Sequence, residues 1–162
     1  MPTARPRSSS VSRHSLIQEN CRRRQCAPLR MVVAMTVDYL DGQIVAGVDA
    51  IQLFDSWAGS LSPAQFEQWV IAPNRAIVDQ LRARHPGTPI IGFPKGAGGK
   101  LAAYAKGTNV DALGLDETVD PHWADKILPP GLPVQANLDP LALIAGGDAL
   151  SSAVANNPFA FT

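Results

Sequence analysis

Val48-Asp49-Ala50-Ile51-Gln52-Leu53-Phe54-Asp55-Ser56-Trp57-Ala58-Gly59 decides how this chain folds. Its opening run, Val48 to Phe54, is short and mostly apolar, as expected of a strand buried on both faces. Asp55 and Ser56 follow at once, where parallel-sheet folds keep their working loops. Upstream, Val33, Val37, Leu40 and Ile44 recur at helical spacing and predict an amphipathic helix. Gly47 stands where a left-handed C-terminal cap is needed. Downstream, Ser62-Pro63-Ala64-Gln65 has the form of a capping box with proline at the first helical position. Phe66, Val70, Ile77 and Leu81 continue that helix, and Pro73 inside it predicts a kink or a division.

The same unit recurs along the chain. The turn His85-Pro86-Gly87-Thr88-Pro89 leads to a strand at Ile90–Phe93. A glycine-rich loop, Gly96–Gly99, enters a helix over Leu101–Lys106 that Gly107 should end. Val110–Leu115 reads as a third strand and Pro133–Ala136 as a fourth. Pro140 opens a last helix through Leu141 and Ile144, interrupted at Gly146-Gly147. Strands alternating with helices imply an α/β fold, a parallel sheet of right-handed βαβ units. About four such units make a partial (β/α)8 TIM-type barrel, since a whole one takes about 250 residues.

Composition is that of a globular chain, with 46% hydrophobic and 17% charged residues among 162. The formal net charge of zero hides a division. Residues 1–30 hold seven arginines and a single acid, Glu19, and read as a basic disordered tail. The remainder holds seven basic and thirteen acidic residues. Cys21 and Cys26 both lie in the tail, and no second Cys/His pair at zinc-ligand spacing follows, so no metal site is expected. With no cysteine in the body, a disulfide-built secreted fold is not expected either. No apolar run approaches the roughly 20 residues of a membrane helix, and a cytoplasmic body without membrane contact follows as an expectation. Arg22-Arg23-Arg24 lacks interleaved aromatics, and no nucleic-acid partner is expected.

The loops after the strands carry the polar residues: Asp55 and Ser56, Lys95, Asp116 and Glu117, then Asn137 and Asp139. In a (β/α)8 barrel these positions line the catalytic face. Asp, Ser and Asn also cap helices and shape turns, and both readings stand for each acid. The glycine loop fits neither phosphate motif. Pro94 occupies the first Walker A glycine, Leu101 the Ser/Thr position, and Gly96-Ala97-Gly98 lacks the final glycine of the dinucleotide fingerprint. The loop could still hold an anion through its N–H groups, or serve as a tight turn. A nucleophilic triad of Ser56 with His85 or His122 and Asp116 has little support, because Ser56 is not in a G-x-S-x-G elbow.

The string from Gly42 to Gly59 closely resembles the middle of the uroporphyrinogen decarboxylase family. Pro94-Lys95-Gly96-Ala97-Gly98, Leu113-Gly114-Leu115-Asp116 and Gln135-Ala136-Asn137-Leu138-Asp139-Pro140 extend the likeness, from about Met31 to Ala149. The domain organisation expected from it is a tail over 1–30, a partial decarboxylase domain over 31–150 and an irregular C-terminus over 151–162. The tail has the composition of an organellar transit peptide. The abrupt onset near Met31 favours upstream DNA read from a wrong start or frame.

The resemblance implies conversion of uroporphyrinogen III to coproporphyrinogen III in porphyrin and haem biosynthesis, by a carboxy-lyase without metal or organic cofactor. In that family arginines hold the carboxylates of the tetrapyrrole substrate. An aspartate binds the pyrrole N–H groups and stabilises charge on the protonated ring. Neither motif, nor the family's substrate-contacting tyrosine or closing Gly-His pair, has a counterpart here, so no catalytic residue is assigned. Of the family's substrate-binding positions only Ser56 matches, with Phe54 as a neighbouring pocket wall. Trp57 and Gly59 would shape the loop. The chain is therefore expected to be inactive alone. The alternatives are a non-catalytic half-barrel that binds or dimerises through its open edges, and the unstable product of a pseudogene. The family implied by the resemblance is dimeric, and the sequence leaves open whether this chain forms the same homodimer.

Overall fold

The computed structural model describes residues 13–135 and 137–156, with side chains from Ala27 onward. The outer parts of the expected tail and of the expected irregular end, the side chains of Cys21 and Cys26, and Ala136 lie outside the described residues.

Helix α1 is Arg13–Val45 and so crosses the boundary placed at Met31. The disorder expected up to residue 30 gives way to helical backbone from Arg13. The predicted stripe is buried at Val33, Val37 and Leu40. Gly47 has φ +99°. Its N–H donates to Ile44 O at 2.9 Å and the Val48 N–H to Gln43 O at 3.4 Å, the paired bonds of a Schellman cap.

Strand β1 is Ile51–Asp55, shorter at its start than the apolar run suggested. The next helix is divided as Pro73 predicted. A turn α2, Pro63–Phe66, passes through a π turn at Glu67–Ile71 into α3, Ala72–Arg84. The wider π turn takes up the missing proline N–H, and Asn74 Nδ2 donates to Val70 O at 2.8 Å. Ser62 is the N-cap, but its hydroxyl pairs with Gln65 Oε1 at 3.3 Å instead of a backbone N–H. The sequence signature therefore marks the helix start without forming the reciprocal box.

Strand β2 is Ile90–Pro94, helix α4 Leu101–Thr108, and strand β3 Ala112–Gly114. Gly107 does not end α4. A Cβ there would overlap Ile71, so the glycine admits close packing of α4 on the π turn. The helix ends instead at Asn109, with φ 59°. Helix α5, Pro121–Ile127, strand β4, Val134–Gln135, and helices α6, Pro140–Ala145, and α7, Gly147–Ala155, complete the described chain. Helix α7 carries regular structure past residue 150, where an irregular end was expected.

The sheet runs β1-β2-β3-β4, parallel and in chain order. This sequential order is that of a (β/α)8 barrel, and the described strands make half of one. Ile51, Leu53, Ile90, Gly92 and Leu113 are buried on the helix-covered face. Gly92 lies against the Tyr104 ring of α4, which leaves no room for a Cβ.

The other face departs from expectation. Phe54 is 69% exposed, so β1 is buried on one face only. In a barrel that inner face is covered by strands from across the axis, and among the described residues none lies there. Gln52 Nε2 reaches across this face to Gln135 Oε1 at 3.0 Å, linking β1 to β4. A flat sheet would separate these strands by three spacings, about 14 Å. The bond thus shows the sheet curling around an axis. It passes over Gly114, where a Cβ would meet the Phe93 ring at 2.6 Å and Gln52 Nε2 at 3.2 Å.

Candidate functional site

Because the strands are parallel and adjacent, their carboxyl ends fall side by side. Asp55, Ser56, Lys95, Asp116, Glu117, Asn137 and Asp139 therefore share one end of the sheet. His85 sits at the other end as the C-cap of α3. Its Nε2 lies 2.8 Å from Asp41 Oδ1 of α1, so no Ser56–His85 pair exists. The hydrogen bond from His85 holds the Asp41 carboxyl below its ordinary range, aided by Arg84 against a smaller effect of burial. His122 is exposed in α5, with its N–H donated to Asp120 Oδ1 at 2.8 Å.

Most of the loop acids serve the backbone. Asp55 Oδ1 accepts the Trp57 N–H at 3.3 Å. Asp139 caps α6 by accepting the Leu141 N–H at 2.8 Å. Asp116 is the most connected of them. Its Oδ2 accepts the Gly96 N–H at 2.7 Å, and its Oδ1 accepts the N–H of Thr118 at 3.0 Å and the Thr118 hydroxyl. Burial pushes the Asp116 carboxyl up. The Thr118 hydroxyl, the N–H groups of Gly96 and Thr118, and the Lys95 charge outweigh it and hold the group low. Asn137 Nδ2 donates to Asp116 O at 3.1 Å, tying the β4 loop to the β3 loop. The Gly96 N–H, offered by the sequence as an anion donor, is thus committed to Asp116.

Two contacts were not legible from motif spacing. Lys100 Nζ donates to Gly59 O and Leu61 O, each at 2.9 Å, and lies 5.2 Å from the Phe66 ring centroid. It fixes the loop after β1 from the start of α4. Gly59 approaches Gly96 so closely that a Cβ on Gly59 would overlap the Gly96 carbonyl. The only trace in the sequence is a glycine in each loop, which turns require anyway.

Ser56 and Phe54 stand apart from this internal bonding. Ser56 is exposed, and its hydroxyl makes no hydrogen bond among the described residues. Phe54 projects from the inner face of β1 and meets Phe93 edge to face, with centroids 5.4 Å apart and planes at 62°. Trp57 is 81% exposed beside them and does not pack beneath the loop. The loop cation Lys95 lies 3.5 Å from Glu117 Oε1. Arg75 donates to Gly107 O, Arg82 to Asn109 O and Asp111, and Arg84 to Asp38. The arginines of α3 therefore hold helices and loop backbone together, away from the strand carboxyl ends. Among the described residues no three His, Cys, Asp or Glu side chains gather as a metal site. No described helix is long and apolar enough to cross a membrane.

Residues 23–157 match the family model described as uroporphyrinogen decarboxylase (URO-D). The chain is 73% identical over 123 residues to the uroporphyrinogen decarboxylase of Sphingopyxis alaskensis, covering 76% of this chain and 36% of that protein. The corresponding figures for the Rhizorhabdus wittichii enzyme are 68% over 123 residues, with the same coverage. For that of Chelativorans sp. they are 49% over 140 residues, 82% of this chain and 41% of the relative. The chain thus spans little more than a third of the length of these curated relatives.

Proposed function

The chain belongs to the uroporphyrinogen decarboxylase family, and from that premise we propose that it forms one wall of a tetrapyrrole pocket. The ligand would be uroporphyrinogen III, and the reaction its decarboxylation to coproporphyrinogen III in cytoplasmic porphyrin and haem biosynthesis. Ser56 offers its hydroxyl to a substrate carboxylate or pyrrole N–H, and Phe54 with Phe93 gives an apolar surface for the macrocycle edge. The observation that carries this reading is the uncommitted Ser56 hydroxyl two residues from the exposed Phe54 ring, at a strand end where every loop acid discussed above except Glu117 bonds backbone.

Decarboxylation of this kind needs cations on the substrate carboxylates and an anionic partner for the protonated ring. The α3 arginines are held elsewhere, and Asp116 is enclosed by its own hydrogen bonds. Alone, the chain therefore binds without turning over. Titrating the full chain with a uroporphyrin, followed by fluorescence, tests this. Ser56→Ala is expected to weaken binding about tenfold, the equivalent of about 1.4 kcal/mol for a hydrogen bond to a charged group. Failure to bind, or affinity indifferent to Ser56→Ala, sinks the proposal. The second reading, a non-catalytic half-barrel, is favoured by the exposure of Phe54 on the inner face of the described sheet.

A further inference from the structure

The loop that carries Ser56 runs from Asp55 to Leu61, and its two ends are held by different means. At the strand end, Asp55 O accepts the Lys95 N–H at 3.0 Å, and Asp55 Oδ1 takes the Trp57 N–H. At the far end the Gly59 N–H donates to Lys95 O at 3.0 Å. There Gly59 O and Leu61 O also both accept from Lys100 Nζ at 2.9 Å. Between these ends Ala58 is buried, while Ser56 and Trp57 are exposed. Among the described residues, Lys100 is the only side chain of another element that bonds this loop.

We propose that Lys100 is a positioning residue for ligand binding. Its ammonium group holds the loop in the shape that presents the Ser56 hydroxyl, without itself touching the ligand. The proposal rests on the pocket reading above, and three observations carry it.

The first is how the charge is spent. A lysine directly after Gly96–Gly99 invites the reading of an anion ligand. Two of its ammonium donors go to loop carbonyls instead, and the charge lies over the Phe66 ring. The second is its footing. Lys100 is the N-cap of α4, whose Leu101 and Tyr104 are buried, and Phe66 is buried as well. The loop is thus tied to the packed core. The third is what its removal would do. Two part-buried carbonyls of like partial charge would converge with no donor between them, and hydrating them requires the loop to move. Gly59 cannot move towards Gly96, because a Cβ on Gly59 would already overlap that backbone. The free direction is outward, and Ser56 goes with it.

Uroporphyrin titration of four full-length versions tests this: the parent, Ser56→Ala, Lys100→Met, and both changes together. Lys100→Met removes the charge and donors at similar length. It is expected to weaken binding about fivefold in the parent and less than about twofold in Ser56→Ala, because changes acting through one contact do not add. A lysine with a merely structural role would weaken both backgrounds alike. No loss in the parent, or equal losses in both, overturns the proposal.

Amide exchange followed by NMR reads the loop without any ligand. Lys100→Met should speed exchange of the Gly59 N–H about tenfold and leave the Leu113 N–H, bonded to Pro133 O in the sheet, unchanged. A second version guards against a folding defect in Lys100→Met. It carries Cys21→Ser, Cys26→Ser and Lys100→Cys, and alkylation with bromoethylamine rebuilds an ammonium at lysine length. Exchange at Gly59 should be fast before alkylation and slow after it. Unchanged exchange at Gly59, equal acceleration at Leu113, or no recovery on alkylation would each overturn the proposal. If the parent binds no uroporphyrin, or Ser56→Ala binds as well as the parent, the pocket reading falls by itself. The exchange rates then decide alone whether Lys100 holds the loop.

Discussion

The carboxylate of Asp116, at the end of β3, accepts the Gly96 N–H of the β2 loop at 2.7 Å while also holding Thr118. One acid thereby fixes the relative position of two strand-end loops, and Asn137 adds a third by donating to the Asp116 carbonyl. The loop end of the sheet is stiffened from within.

Replacing Asp116 with alanine should therefore cost stability, about 2–3 kcal/mol, because hydrogen bonds to a charged group are lost and a part-buried N–H is left without a partner. Urea unfolding followed by circular dichroism reads this directly. Little change in midpoint would show that Thr118 and Gly96 find other partners.

The same acid sets a pH dependence. Its folded pKa lies below its unfolded value, so its contribution is complete above the ordinary aspartate pKa of about 3.9 and is lost as pH falls through the lower folded value. Asp41, held low chiefly by His85, adds to the same slope. Denaturation midpoints measured between pH 6 and pH 2 should fall steeply, and less steeply in Asp116→Asn.

At alkaline pH the sign reverses. Burial pushes the Tyr104 hydroxyl up, with the Asp55 charge acting in the same direction. The unfolded chain then gives up this proton first, and stability should decline as pH rises past the ordinary tyrosine value of about 10. Tyr104→Phe should flatten that decline, as seen in urea midpoints between pH 8 and pH 11. An equal alkaline slope in both proteins would contradict the burial argument.

Glycines in the two loops should differ sharply. Gly59→Ala drives a Cβ into the Gly96 carbonyl and is expected to cost about 3 kcal/mol or more, since backbone must move. Gly99→Ala meets nothing within 4 Å and should stay within about 0.5 kcal/mol of the parent. Thermal melts of the pair make the comparison.

Ser56→Ala should be silent in those melts, within about 0.5 kcal/mol, because the hydroxyl is exposed and makes no hydrogen bond among the described residues. A large loss of stability would mark Ser56 as a turn residue and remove it from the pocket.

Much of this was fixed by local chemistry and was legible in the chain. Periodicity at Val33, Val37 and Leu40 gave the buried face of α1, Gly47 its cap, Pro73 the divided helix, and alternation of strands with helices the parallel sheet. These signals act over one or two turns of backbone, so a sequence carries them whole. The family likeness from Gly42 to Gly59 also came from sequence alone. What required the fold was every property set by residues far apart in the chain. Gly107 appears a helix terminator until Ile71 is brought against it. Phe54 appears a core residue until the sheet is seen to leave its inner face open. Asp116 reads as a candidate acid until Gly96 and Thr118 enclose it, and Lys100 carries no motif until Gly59 and Leu61 turn their carbonyls toward it. Hydrogen-bond partners and burial are properties of pairs, and only tertiary structure decides which pairs meet.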